Sequence, residues 1–252
     1  MAETIAERKA AEYHKESISV YDSRPTQALS KRAIDLVIAG FATFVLLPLL
    51  LFIAIAIRFD SKGPILFLQQ RSGLNRKPFV IFKFRTMTHA AERQVQATVE
   101  DPRVTKVGRF LRRSSLDELP QIINVLKGDM SIVGPRPHPL WLDEHFACKI
   151  GSYWDRYLVK PGITGLAQIN HCRGETATVD DMLRRVKYDI NYVTMASVKL
   201  DIKIIALTIY QLIFARNAYL WTFNREEQLH HDDSQERHSC HRGRGISRIS
   251  PV

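Results

Sequence analysis

The sequence is poor in cysteine, in acidic charge and in repetition. Its three cysteines (Cys148, Cys172 and Cys240) are far apart and form no CxxC pair. A disulfide framework and a zinc knuckle are therefore both unsupported. No internal repeat is visible, which argues against a solenoid. The 12 glycines and 11 prolines among 252 residues exclude a collagenous or low-complexity chain. Acidic residues number 26 against 36 Lys and Arg, leaving a formal charge of +10. A basic balance of this size points to an anionic partner: nucleic acid, lipid headgroups or a phosphorylated substrate.

The excess is not spread evenly. Residues 1–57 carry 6 basic and 6 acidic side chains, residues 58–139 carry 15 and 7, and residues 140–252 carry 15 and 13. A nucleic-acid arm is more often a terminal basic run low in apolar residues. Here the basic block is interleaved with Phe79, Ile81, Phe82, Phe84, Leu111, Leu116 and Ile122, so it folds. Directly before it, Leu36 to Ile57 runs for 22 residues without a charge, enough to cross a hydrocarbon core of about 20 helical residues. Thirty-five residues precede this stretch and no small-residue cleavage pattern follows, so it is not a cleaved signal peptide. Pro48 divides it and predicts a kink. A straight span and a re-entrant hairpin both fit. Basic residues on both flanks (Lys31 and Arg32 before, Arg58 after) give no one-sided bias and favour two ends on one side.

Four segments follow from composition: a polar leader over 1–30, the apolar anchor over 31–58, a folded domain over 59–223, and a tail over 224–252. That tail lacks apolar periodicity and holds His230, His231, His238 and His241. Within the domain, Ile65–Gln70 and Lys77–Met87 alternate apolar and polar residues and predict a hairpin turning at Gly73–Asn75. Arg103 to Arg113 is a short basic helix. Leu119, Ile122, Ile123 and Leu126 recur at helical spacing, with Gly128 as the stop. Met182–Val193 and Leu200–Phe214 are two further helices. The expected fold class is α+β and mostly α, with one small hairpin.

The chemistry concentrates in RFLRRSSLDELPQIINVLKGDMSIVGPRP, residues 109–137. Asp117 and Glu118 are adjacent carboxylates at a helix entrance. Either Ser115 and Glu118 form a capping box, or Pro120 is the first helical residue and the pair lies just before it. In both cases the helix's positive end and Arg109, Arg112 and Arg113 are expected to lower the carboxylate pKa values. An ionised carboxylate there can act as a nucleophile or hold a divalent cation. Arg136 lies between two prolines, a restrained guanidinium suited to phosphate. Lys83 and Arg85, two apart on a strand, are expected on one face as a second cationic pair.

These segments, together with KRAIDLVIAG, GPILFLQQRSGLNRKPFVIFKFRTM and KPGITGLAQI, resemble the bacterial sugar transferase family, the monotopic phosphoglycosyl transferases. The likeness covers about residues 30–223 in unbroken order. RGETATVDDMLRRVKYDINYV, residues 173–193, is most similar to the exopolysaccharide branch. Many members of that branch carry additional transmembrane helices, and this chain resembles the minimal catalytic unit. The resemblance implies transfer of glucose- or galactose-1-phosphate from a UDP-sugar to undecaprenyl phosphate, with release of UMP. It makes Asp117 the nucleophile, Glu118 its partner and Mg²⁺ the cofactor, held by the same two carboxylates. Arg112 and Arg136 become phosphate clamps, with Lys83 and Arg85 as secondary candidates. It also implies a re-entrant helix broken at Pro48, in contact with inner-membrane lipids, beneath a compact catalytic domain on the cytoplasmic face of the bacterial inner membrane. No nucleic-acid partner is expected. A conventional glycosyltransferase would instead release the nucleoside diphosphate, and a non-catalytic basic module would leave the carboxylate pair unexplained.

Overall fold

The computed structural model describes residues 25–88, 101–174, 176 and 178–214. The expectations for the first 24 residues and for the tail from 224 onward lie outside this set. The chain divides into two units, residues 1–206 and residues 207–252, and the carboxylate pair with its surrounding cations belongs to the first.

Helix α1 spans Pro25–Asp60, so it begins inside the segment expected to be a polar leader, and it continues through Pro48. Among the described residues it is the one helix long and apolar enough to cross a membrane. Only 11% of its most apolar window is buried, whereas a core helix of a soluble domain would be mostly covered. Its two flanks dock on the same domain. Near its start, Lys31 donates to Asp201 Oδ2 (2.6 Å) and Val133 O (3.0 Å), Arg32 donates to Val125 O (2.6 Å), and Asp35 accepts from Ser131 Oγ and Ile132 N (both 3.0 Å). Beyond Pro48, Ile53 and Ile57 pack with Phe84 and Leu111. The basic residues ahead of the apolar run therefore tie the helix to the domain.

Strands β1 (Leu66–Ser72) and β2 (Pro78–Phe84) form the expected antiparallel hairpin, with Leu66 opposite Phe84 and Ser72 opposite Pro78. The connecting turn places Asn75 and Arg76 at positive φ (51° and 62°). Helix α2 (Lys106–Ser114) is capped by Thr105, whose side chain accepts from Gly108 N. After a 3₁₀ turn over Leu116–Glu118 comes α3 (Gln121–Lys127), stopped as expected by Gly128 at φ 92°. Parallel strands β3 (Ser131–Val133) and β4 (Gly162–Thr164) enclose α4 (Leu140–Ala147) and a 3₁₀ segment, Tyr153–Leu158. The chain continues through α5 (Leu166–Ile169), α6 (Val179–Met195) and α7 (Val198–Phe214). Helix α6 starts on a capping box between Thr178 and Asp181. Among the described residues the architecture is mostly helical with two two-stranded sheets.

The β3 and β4 segments meet backbone to backbone. A Cβ on Gly134 would lie 2.3 Å from Lys160 O, and one on Gly162 would lie 2.1 Å from Gly134 N. Only glycine permits this approach. Hydrogen bonds Gly134 N→Thr164 O and Gly162 N→Pro135 O (both 2.9 Å) lock the GPRP loop onto the KPGITG segment.

Candidate active site

The 3₁₀ turn presents Asp117 and Glu118 at the centre of a cationic cluster, and the two carboxylates have opposite surroundings. Glu118 is buried. Arg136 chelates it with both guanidinium nitrogens, Nη1 reaching Oε2 at 2.9 Å and Nη2 reaching Oε1. Lys83 Nζ adds a bond to Oε1 at 2.8 Å. Burial alone would disfavour the charge, but Arg136 and Lys83 overcome it and hold the Glu118 carboxyl well below its usual range. The Asp117 carboxylate has no hydrogen-bond partner among the described residues. Burial pushes its pKa up, the Glu118 charge adds to the rise, and Lys83, Arg136 and Arg112 only partly offset it. The expected lowering thus holds for Glu118 and is reversed for Asp117, because desolvation and a neighbouring like charge outweigh the pull of Lys83, Arg136 and Arg112.

The local cap also differs from the sequence-based alternatives. Ser115 adopts a left-handed conformation (φ 58°) and makes no capping bond. Its hydroxyl accepts instead from Arg173 Nη2 at 2.7 Å. The carboxylate pair lies ahead of α3, as in the second alternative, with Pro120 at the N-cap.

Of the expected cations, Lys83 and Arg136 reach Glu118 directly. Arg112 approaches from the last turn of α2, where Nε donates to Thr86 Oγ1 (2.9 Å) and its charge acts on Asp117. Arg85 does not join them: its Nη2 donates to Ser61 O (2.7 Å) and Ser61 Oγ (2.9 Å). The shared-face expectation fails because β2 ends at Phe84, so the strand alternation that orients Lys83 does not extend to Arg85. Arg109 and Arg113 are exposed.

Two further arginines escaped the sequence reading. Arg173, in the loop after α5, reinforces the lowered pKa of Glu118. It is the first residue of RGET, a string that carried family likeness but no chemical role. Arg71 on β1 donates to Pro137 O (3.1 Å) and Gln69 Oε1 (2.6 Å), while its Nε has no partner among the described residues. Burial, with Arg136 next, brings its pKa down to about 10. No periodic signal distinguishes Arg71 from other strand residues.

Behind Arg136 lies a buried polar network. Arg156, fully buried, donates from Nη2 to Arg136 O (2.8 Å) and pairs with Asp189 through Nε (3.0 Å) and Nη2 (2.7 Å). Its Nη1 meets His138 Nδ1 at 2.5 Å. Burial, then Arg156 and Arg185, keep that imidazole neutral. The backbone of the phosphate-binding candidate is therefore clamped by Arg71, Arg156 and the glycine contacts. Its guanidinium remains at the cluster's open side, 23% exposed.

Chemically, five cations (Lys83, Arg71, Arg112, Arg136 and Arg173) surround two carboxylates, a balance suited to an incoming diphosphate. Among the described residues no group of three or more His, Cys, Asp or Glu could hold a metal alone. A magnesium ion commonly uses one or two carboxylates and completes its shell with substrate phosphates and water. Asp117 offers both oxygens for that role. Glu118 enters such a set only through lone pairs not taken by Arg136 and Lys83.

A family model described as bacterial sugar transferase matches residues 26–215. A UDP-glucose:undecaprenyl-phosphate glucose-1-phosphate transferase of Escherichia coli (strain K12) is 50% identical over 193 residues, 76% of this chain and 42% of that protein. A protein of the same name from Caulobacter vibrioides is 48% identical over 194 residues, 76% of this chain and 72% of its own. A UDP-N-acetylgalactosamine-undecaprenyl-phosphate N-acetylgalactosaminephosphotransferase of Aeromonas hydrophila is 37% identical over 216 residues, 84% of this chain and 51% of that protein. The chain thus spans about two fifths of the length of the E. coli relative.

Proposed function

Since the chain belongs to the bacterial sugar transferase family, we propose that it transfers glucose-1-phosphate from UDP-glucose to undecaprenyl phosphate and releases UMP. The observation that carries this reading is the contrast within the dyad. Glu118 is consumed in an ion-paired cluster, while Asp117, one residue earlier, has a free carboxylate beside the same cations. In the first half-reaction an Asp117 oxygen attacks the β-phosphorus of the donor. The bond from that phosphorus to the bridging oxygen breaks, and UMP departs with the bridging oxygen and its electron pair. In the second half, a phosphate oxygen of the lipid attacks the same phosphorus. The aspartyl–phosphorus bond then breaks, which frees Asp117 and yields the lipid diphosphosugar.

The roles of the surrounding groups follow from charge. Arg136 and Arg112 bind non-bridging phosphate oxygens, with Lys83, Arg71 and Arg173 raising the local positive potential. Glu118 anchors Arg136 and Lys83 in place. Mg²⁺, held by the Asp117–Glu118 pair together with the diphosphate, would neutralise charge on the phosphates. Asp117's raised pKa marks a carboxylate whose ionised form is poorly solvated, and a nucleophile in that state is reactive. Glucose is assigned because relatives at 48–50% identity bear that name.

The chain would act at the cytoplasmic face of the bacterial inner membrane in the first lipid-linked step of exopolysaccharide synthesis. Helix α1 would be a re-entrant anchor bent at Pro48. Support comes from the docking of its two flanks on one domain and from its low burial. The test is incubation of detergent-solubilised protein with a panel of UDP-sugars, undecaprenyl phosphate and Mg²⁺. UMP release with UDP-glucose, lost in Asp117→Asn, is expected. Release of UDP would assign a conventional glycosyltransferase, and near-normal UMP release by Asp117→Asn would remove Asp117 as the nucleophile.

A further inference from the structure

A cavity of about 160 Å³ lies between the apolar helix and the segment that follows the carboxylate pair. Thr43, Leu50 and Leu51 of α1 form one wall, and Leu119, Pro120 and Ile123 form the other. Its lining is almost wholly apolar. The single hydroxyl among these six residues, on Thr43, is spent on Ala39 O at 2.7 Å within its own helix. The pocket is half open, and its volume is close to that of an apolar cavity of about 150 Å³ that accepts a six-carbon ring. This one therefore suits a short branched hydrocarbon rather than water or a sugar.

Its position selects the hydrocarbon. Leu119 and Pro120 follow Asp117 and Glu118 directly in the chain, so one wall continues from the reacting carboxylates. Leu51 and Ile123 in the lining are 57% and 43% exposed, and Leu47, one turn before Leu51 on α1, is 49% exposed. The cavity thus opens onto the apolar belt of the helix. A polyprenyl phosphate has this arrangement: its first five-carbon branched unit is bonded directly to the phosphate oxygen, and the rest of the chain is apolar. We infer that this cavity is the binding site for the isoprene unit next to the acceptor's phosphate, which places that phosphate against Asp117. The inference rests on the lipid-phosphate acceptor proposed above.

The test uses the whole protein in nanodiscs and a prenyl phosphate carrying a diazirine on its phosphate-proximal isoprene unit. Adducts are expected within residues 43–51 and 119–123. Excess undecaprenyl phosphate should suppress them and excess phosphatidylglycerol should not. Adducts confined to other segments would overturn the inference, as would equal suppression by phosphatidylglycerol, which would mark an acyl-chain site. In parallel, Leu51→Trp and Ile123→Trp should each raise the KM for undecaprenyl phosphate at least about tenfold, with the KM for UDP-sugar unchanged. An unchanged lipid KM in both variants also overturns it. Crosslinking requires no turnover. Adducts at the stated positions without UMP release from any UDP-sugar would therefore refute the transfer reaction and leave the prenyl site standing.

Discussion

Replacing Asp189 by Asn removes the counter-charge of Arg156 at a point where no solvent can compensate. Arg156 and Asp189 are 0% and 1% exposed, and two guanidinium nitrogens converge on one carboxylate oxygen. Breaking such a pair from one side costs about 3–5 kcal/mol. For a chain of this size, each kcal/mol corresponds to about 2–4 °C. A drop of roughly 10 °C in Tm is expected, read by thermal unfolding in detergent. Replacing both partners together, as Arg156→Met with Asp189→Leu, should recover most of that loss, since an apolar pair of similar volume has no charge to desolvate. Turnover should not recover with it, because the bond from Arg156 Nη2 to Arg136 O is lost in the double variant. The split between stability and activity separates a positioning role from a purely structural one. A Tm within a degree or two of wild type for Asp189→Asn would refute the energetic reasoning. Restored UMP release in the double variant would refute the positioning of Arg136.

The carboxylate pair predicts opposite pH behaviour. Glu118's depressed pKa contributes stability that is present above its unfolded value of about 4.3 and is lost as pH falls through the folded value. Glu118→Gln should therefore melt lower than wild type at pH 7 and converge with it in acid. Asp117's raised pKa has the reverse sign, its contribution being full below its unfolded value of about 3.9 and lost as pH rises through the folded one. Asp117→Asn should thus melt a few degrees above wild type at pH 7, and a lower Tm would contradict the desolvation argument. Gly162→Ala places a methyl group 2.1 Å from Gly134 N. We expect a loss of about 1–3 kcal/mol by thermal denaturation, accompanied by weaker turnover because the Arg136 loop shifts. Arg173→Ala should lower kcat/KM for UDP-sugar by about 10- to 100-fold, equivalent to one charge-assisted hydrogen bond. Unaltered steady-state kinetics would exclude Arg173 from substrate binding.

Local periodicity carried most of the elements. The β1–β2 alternation, a helix over Ile122, Ile123 and Leu126, and the stop at Gly128 appear in the structure where the sequence predicts them, although Leu119 precedes that helix and Ile123 and Leu126 are exposed while Val125 is buried. Each depends on neighbours within a few positions. Local rules miscarried where a distant partner intervened. Ser115 does not cap: its backbone is left-handed rather than extended, and its hydroxyl meets Arg173, 58 positions away. Lys31 and Arg32, which resemble flanking charges of a membrane segment, form hydrogen bonds across 93 to 170 positions. Arg156, the most consequential buried charge, sits in a stretch with no motif. Its role exists only once Asp189 and the Arg136 carbonyl are brought around it.

Composition and residue order alone dictate one long uncharged apolar run, a concentrated basic block and an adjacent carboxylate pair among arginines. Which carboxylate stays free was decided only by tertiary structure. Asp117 and Glu118 are neighbours with the same charge, yet Lys83 from 35 residues before and Arg136 from 18 residues after both close on Glu118. Desolvation then acts on both carboxylates, while ion pairing compensates fully for Glu118 alone. Adjacent residues in the chain acquire opposite pKa shifts because charge is stabilised by what packs around it in space.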